Sequence, residues 1–256
     1  MRLNNKVIVV TGGAGGIGLA SAALFLKEGA QGVHLVDLNA DALKEAAASL
    51  DNSKRVSWTA ADVSKAEDVK RYTDEAVKAY GKIDVLFLNA GIEGKVMPIT
   101  EYPEELFDKL MDVNVKSLFL GMKYGFPELK KNGGGSVILT SSVAGHRGTP
   151  NVSAYITSKH ATVGITKTGA LEGAADGIRV NSIHPSPVDN RMMRSLEEGF
   201  APGAGAEAKK GFEQAIPLGR YATNDEIANV ALFLASDESS FVTGAQYVVD
   251  GGMTAK

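Results

Sequence analysis

Tyr155 and Lys159 stand four residues apart in a stretch with helical spacing, so their side chains share one face, and Ser142 ends a β-branched run upstream. A free phenol titrates near 10 and is a poor acid/base at neutral pH. An adjacent ammonium favours the phenolate, and a lowering of about one to three units would let Tyr155 exchange a proton with an alcohol or carbonyl oxygen. Ser142 would donate a hydrogen bond to that same oxygen. Taken alone, the Tyr-x-x-x-Lys spacing describes a solvated amphipathic helix face equally well.

A second group could hold a cofactor. Thr11-Gly12-Gly13-Ala14-Gly15-Gly16-Ile17-Gly18 follows the first β-branched run and opens a helix rich in Ala and Leu. Glycines let the backbone turn sharply and approach a pyrophosphate, while the helix offers unpaired N–H groups and the positive end of its dipole. The same glycines also suit a tight turn packed closely against a strand. About 20 residues on, Asp37 ends the second strand, where an acid accepts hydrogen bonds from ribose hydroxyls; a helix-start or turn role is its plainer alternative. Leu38, Asn39 and Ala40 bring no cation to offset the extra phosphate of NADP, so NAD is the expected cofactor. No Lys-Ser or Lys-Thr pair follows the glycines, which removes the P-loop NTPases, whereas a methyltransferase remains compatible with this turn alone.

These residues need a frame. Strands are expected at Val7 to Thr11, Val33 to Asp37, Val56 to Ala60, Val85 to Asn89, Val137 to Ser141, Arg179 to His184 and Tyr247 to Asp250. Helical spacing fills Ile17 to Glu28, Ala40 to Leu50, Glu67 to Tyr80, Leu106 to Lys131, Asn151 to Ala174 and Asp225 to Ala235. Such alternation predicts an α/β fold, a single doubly wound domain with a parallel sheet of about seven strands covered on both faces and its ligand beyond the carboxyl strand ends. Ser186 to Pro217, rich in Gly and Pro, is the least regular segment and reads as a lid or binding loop, with a mobile surface excursion as the alternative.

Composition narrows the chemistry further. Lys and Arg number 27 against 30 Asp and Glu over 256 residues, a net charge of -3 that offers no field for nucleic acid or an acidic membrane. With no cysteine there is no disulfide, thiolate nucleophile or Cys-ligated metal. The apolar run Val7 to Val10 is too short for a signal peptide, and no run is long enough to span a bilayer, so a cytoplasmic protein is expected. His34, His146, His160 and His184 lack compact ligand spacing and no metal is expected.

Together, Thr11-Gly12-x-x-x-Gly16-x-Gly18, Asp62-Val63, Asn89-Ala90-Gly91, Asn114, Ser142, Tyr155-x-x-x-Lys159 and Pro185 occur in the order and approximate spacing of the short-chain dehydrogenase/reductase family. The chain resembles that family over essentially its whole length, and its end from Phe241 to Gly252 is similar to the oxoacyl-carrier-protein reductase-like members. The resemblance implies an NAD-dependent oxidoreductase interconverting a secondary alcohol and a ketone. Tyr155 would be the acid/base, Lys159 would bind the nicotinamide ribose and lower the Tyr155 pKa, and Ser142 would orient the substrate oxygen. Asn114 would hold a water that extends the proton relay. Gly12, Gly16, Ile17 and Gly18 would bind pyrophosphate, Asp62 and Val63 would flank adenine, Asn89 and Gly91 would line the cofactor, and Val188 would meet the carboxamide through its backbone.

The family resemblance also implies a homotetramer joined partly by the helices bearing Asn114 and Tyr155. Leu88, Ser186 and Asn190 depart from the family's usual Asn, Gly and Thr, the last two near the nicotinamide. Glu93, His146, Met192, Met193 and Phe200 are further pocket candidates, with loop packing the plainer reading for Glu93, the two Met residues and Phe200, and a surface-loop role the alternative for His146. Two other functions stay open: NADP-linked 3-oxoacyl thioester reduction, which would want a cation near Asp37, and a non-catalytic dinucleotide sensor, which would not need the Ser142, Tyr155, Lys159 and Asn114 set.

Overall fold

The computed structural model describes residues 1–50 and 54–255. Among them, β1 (Val7–Thr11), β2 (Gly32–Asp37), β3 (Val56–Ala60), β4 (Val85–Leu88), β5 (Gly135–Thr140), β6 (Ile178–Pro185) and β7 (Gln246–Val249) form one parallel sheet. Its order is β3-β2-β1-β4-β5-β6-β7. This is the doubly wound α/β sheet expected from the sequence. The order reverses between β1 and β4, which opens a crevice at the carboxyl ends of those strands.

Successive side chains on a strand face opposite ways, so a run such as Val7 to Val10 feeds both faces. Ile8 and Val10 pack with Val33, Leu35, Ile138 and Ile183 under α1 (Gly16–Lys27), α2 (Ala40–Ser49) and α9 (Asn224–Ala235). Val9 and Val36 pack with Leu86, Leu88, Val137 and Leu139 under α3 (Ala66–Tyr80), α5 (Ser117–Lys131) and α6 (Ser153–Gly173). Leu88 therefore works in strand packing, against Gly121 of α5, where a Cβ would lie 2.7 Å from its Cδ1. Among the described residues no helix is long and apolar enough to cross a membrane.

Two stretches differ from the sequence expectation. Leu106 to Lys131 is not one helix: α4 (Glu104–Met111) joins α5 through a π-helical turn at Asp112–Lys116. A π turn admits one extra residue, and here it carries Asn114 into the protein, where its side chain reaches across to Ile92 and Ser158. Ser186 to Pro217 is not irregular, since it folds into α7 (Arg191–Phe200) and α8 (Gly205–Ala215). Asn190 caps α7 by accepting from Met192 N and Met193 N, Pro202 and Gly203 make the turn between the helices, and Gly199 lets α7 lie against Val96. The residues that looked like breakers thus sit at a cap, a turn and a close contact. Beneath this hairpin Met193 packs with Val143, Ile216, Tyr221 and Met253.

Candidate active site

The glycine turn leaves β1 and enters α1 at the crevice. A Cβ on Gly18 would fall 2.1 Å from the Gly12 carbonyl oxygen, and one on Gly12 would fall 2.9 Å from Asn89 Nδ2, so these glycines are required by packing. Gly15 and Gly16 are different: both are exposed, and nothing lies within 4 Å of a Cβ built on Gly15. The N-cap of α1 is Gly15, which supplies no side-chain acceptor, and the first turn holds no acid. Open N–H groups at the positive end of a helix dipole, beside a backbone that a ligand can approach, fit a pyrophosphate. Ile17 turns away into the core beneath.

Asp37, at the end of β2, accepts from Ala14 N at 3.2 Å and from Leu38 N at 2.8 Å, which fixes its carboxylate against the turn. Among the described residues no cation pairs with it. After β3, Asp62 accepts from Ser64 N and Oγ, an Asx turn that presents the next side chain, buried Val63. After β4, Asn89 ties three strands together, donating to Thr11 O and accepting from Thr140 Oγ1. Thr11 Oγ1 in turn accepts from Asn89 N and Ala90 N. Gly91 brings the chain so close to the next group that a Cβ there would lie 3.2 Å from Asn114 Oδ1 and 3.8 Å from Lys159 Nζ.

That group is the one singled out by spacing. Tyr155 and Lys159 lie on α6, with the Lys159 ammonium 5.4 Å from the centre of the Tyr155 ring. Lys159 is buried, its Nζ donates to Thr140 O at 2.8 Å, and burial lowers its pKa to about 8. Burial pushes the half-buried Tyr155 phenol up to about 12; the Ser142 hydroxyl opposes this and the Glu93 carboxylate adds to it. Desolvation dominates in this structure and outweighs the lowering expected from a neighbouring cation. Ser142 follows β5, accepts from Ala144 N and donates to Pro185 O at a long 3.4 Å, a bond easily exchanged for a better acceptor. Asn114 accepts from Ile92 N at 2.8 Å and donates to Ile92 O and Ser158 Oγ, leaving one further acceptor position on Oδ1.

The remaining candidates divide. Glu93 is buried at this site. His146 is exposed, but its ring lies 4.3 Å from that of buried His184, whose Nδ1 must donate to Ser142 O because a carbonyl only accepts. Met193 is core, Phe200 packs edge-on to Phe212, and Met192 is half-buried on α7. Val188 pairs with Ala222 in an isolated parallel bridge that uses Pro187 O and Asp189 N, so its own N–H and C=O point the other way. Ser186 N donates to Val249 O, and Asn190 Nδ2 reaches Asn224 Oδ1 at 3.4 Å. Arg191, 3.6 Å from Glu93, was not anticipated; an arginine opening a capped helix carries no sequence signal of its own.

A family model described as enoyl-(acyl carrier protein) reductase matches residues 12–254. Cyclohexanol dehydrogenase of Acinetobacter sp. (strain SE19) is 37% identical over 256 residues, covering 100% of this chain and 97% of the relative. The crystal structure of levodione reductase superposes with a TM-score of 0.96 at 35% identity, covering 99% of each chain. That of NAD+-bound xylitol dehydrogenase gives 0.92 at 33% identity, covering 98% of this chain and 100% of that one. With its motifs gathered at one crevice and relatives matched from end to end, this chain belongs to the short-chain dehydrogenase/reductase family.

Proposed function

We propose that the chain is an NAD-dependent oxidoreductase interconverting a secondary alcohol and a ketone, with Tyr155 as acid/base. The observation that carries this reading is the convergence of Ser142, Tyr155 and Lys159 beside an uncapped helix N-terminus whose glycine turn is closed by Asp37. Relatives named as cyclohexanol dehydrogenase, levodione reductase and xylitol dehydrogenase support the reaction class, and the NAD+ bound in the last supports the cofactor. When bound, the nicotinamide supplies the hydride acceptor for alcohol oxidation and the donor for ketone reduction.

The chain's own residues do the rest. Gly12, Gly16, Ile17 and Gly18 hold the pyrophosphate, and Asp37 takes the adenosine ribose hydroxyls while repelling the additional phosphate of NADP. Asp62 and Val63 flank the adenine, Asn89 and Gly91 line the cofactor, and the free backbone edge of Val188 meets the carboxamide. Tyr155 takes the hydroxyl proton at its phenolic oxygen in oxidation and returns it in reduction. Lys159, with its pKa at about 8, is mostly cationic at neutral pH, favours the phenolate and binds the nicotinamide ribose. Ser142 exchanges its long bond to Pro185 for the substrate oxygen, and Asn114 holds the relay water. The whole chain works as one domain. Exposed Phe119 on α5 and Leu171 on α6 support a homotetramer.

The test is NADH formation from NAD over a panel of secondary alcohols. Tyr155→Phe should lower kcat by about 10²- to 10⁴-fold while NADH binding, followed by fluorescence, stays within a few-fold. Near-normal turnover in that variant would reject the role.

A further inference from the structure

Glu93 stands two residues beyond Gly91, on a segment fixed from both sides. The N–H and C=O of Ile92 are both held by the Asn114 amide, at 2.8 and 2.9 Å. Gly94 has φ +72°, and a Cβ there would fall 2.6 Å from Leu110 Cδ1 and from the Tyr102 hydroxyl oxygen. The carboxylate between them is therefore placed, not left at a loop tip: Glu93 is 9% exposed. Among the described residues no group donates a hydrogen bond to it. Its nearest cation is Arg191, 3.6 Å away at the start of α7, whose side chain is 80% exposed.

The Glu93 oxygens have no protein donor among the described residues yet are not sealed from water, so they stay open to a donor from the pocket, and their charge opposes formation of the Tyr155 phenolate. Two residues from Gly91, which abuts Asn114 and Lys159, the carboxylate is positioned to act on whatever shares the pocket. A carboxylate offers two strong acceptors and no donor. An anionic substrate would face the like charge of Glu93, whose nearest cation is a largely solvated guanidinium. An ammonium would lie among Arg191 and Lys159. A neutral hydroxyl is the donor that fits.

We infer that Glu93 is a specificity-determining residue whose carboxylate accepts a hydrogen bond from a second hydroxyl of a neutral diol or polyol, the first hydroxyl lying at Tyr155 and Ser142. This rests on the proposed alcohol/ketone chemistry and names the substrate class of the same site. The second hydroxyl replaces the hydrogen bonds to water that the carboxylate loses, so discrimination against a mono-alcohol comes from leaving a buried acceptor unpaired.

The test compares cyclohexanol with the cis and trans 1,2-, 1,3- and 1,4-cyclohexanediols, with 3-hydroxybutyrate as an anion and trans-2-aminocyclohexanol as a cation. Two readouts are taken: kcat/KM with NAD, and the Kd of each alcohol for the enzyme–NADH complex from its fluorescence. The wild-type protein should favour at least one diol over cyclohexanol by about tenfold or more in both, and Glu93→Ala should remove most of that ratio. Glu93→Gln, which keeps an acceptor oxygen, should lie between. Because each value is a ratio within one preparation, partial misfolding of a variant cancels. An unchanged ratio in Glu93→Ala, no diol preference in the wild type, or a preference for the anion or the amino alcohol would overturn the inference. Absence of NADH formation from every alcohol would instead sink the oxidoreductase reading, and the Kd ratios would still report on Glu93.

Discussion

The glycine turn after β1 and the α7–α8 hairpin meet at the crevice, where Asn190 Nδ2 lies 3.8 Å from the Cβ position of Gly16. They are made of different material. The turn presents backbone, and at Gly12 and Gly18 it has no room for even a methyl group. The hairpin presents long charged side chains: Arg194 pairs with Asp189 at 2.8 Å and lies 3.2 Å from the buried Glu197, while Lys209 sits over the Tyr221 ring. Around them opens a cavity of about 660 Å³ lined by Arg194, Glu197, Lys209, Lys210 and Glu213. A wall of peptide groups recognises one kind of ligand and tolerates little change. A wall of side chains can be recut residue by residue.

The sharpest way to break this contrast is one methyl group on each side. Gly18→Ala would drive a Cβ into the Gly12 carbonyl and should cost several kcal/mol, read as a lower urea midpoint and the loss of NADH binding. Gly211→Ala, within α8 where nothing lies within 4 Å, should stabilise by about 0.5–1 kcal/mol. Similar losses for both would erase the distinction.

Acid probes the sheet on either side of the crevice through one buried imidazole each. His34 on β2 lies between Ser57 and Thr59, His184 on β6 lies between Ser182 and Ser142 O, and burial lowers each to about 4. Between pH 6.5 and 4 the unfolded chain binds protons that the native protein refuses, so stability falls as pH drops through that window, by roughly 2 kcal/mol for each histidine at pH 5. His146 adds to the lowering only at His184. His146→Ala should therefore soften the acid loss, and urea midpoints at pH 7.5 and 5 for the wild type and this variant would show it. A wild-type midpoint that rises on acidification would contradict the assignment.

A further expected effect concerns cofactor choice. Asp37→Ser removes the like charge opposing a 2′-phosphate, and the ratio of NADP to NAD affinity should rise by about tenfold, with Tyr155 chemistry untouched. Fluorescence titration with both reduced cofactors measures it, and an unmoved ratio would place the selectivity elsewhere.

The strands were legible within two residues at each end because β-branched runs carry their own local signal, as at Val7–Thr11, which Gly12 ends. The shared face of Tyr155 and Lys159 and the position of Ser142 past β5 followed from the same periodicities. The rest depended on partners distant in the chain. The π turn at Asp112–Lys116 accompanies bonds from Asn114 to Ile92 and Ser158, and the edge presented by Val188 is set by Ala222. The upward push on the phenol comes from packing around α6, and the burial of Glu93 from Asn114, Leu110 and Tyr102. Residue spacing along one element cannot report any of these.

The extra residue in the π turn also limits how this chain can change length. Deleting one of residues 112 to 116 would let α4 and α5 run on as a single regular helix, with both halves near their present orientation but without the bulge that carries Asn114 inward. Asn114 and the Ile92 peptide it braces would lose their register together. A one-residue contraction that a surface turn absorbs without consequence would here uncouple the helix from the crevice it serves.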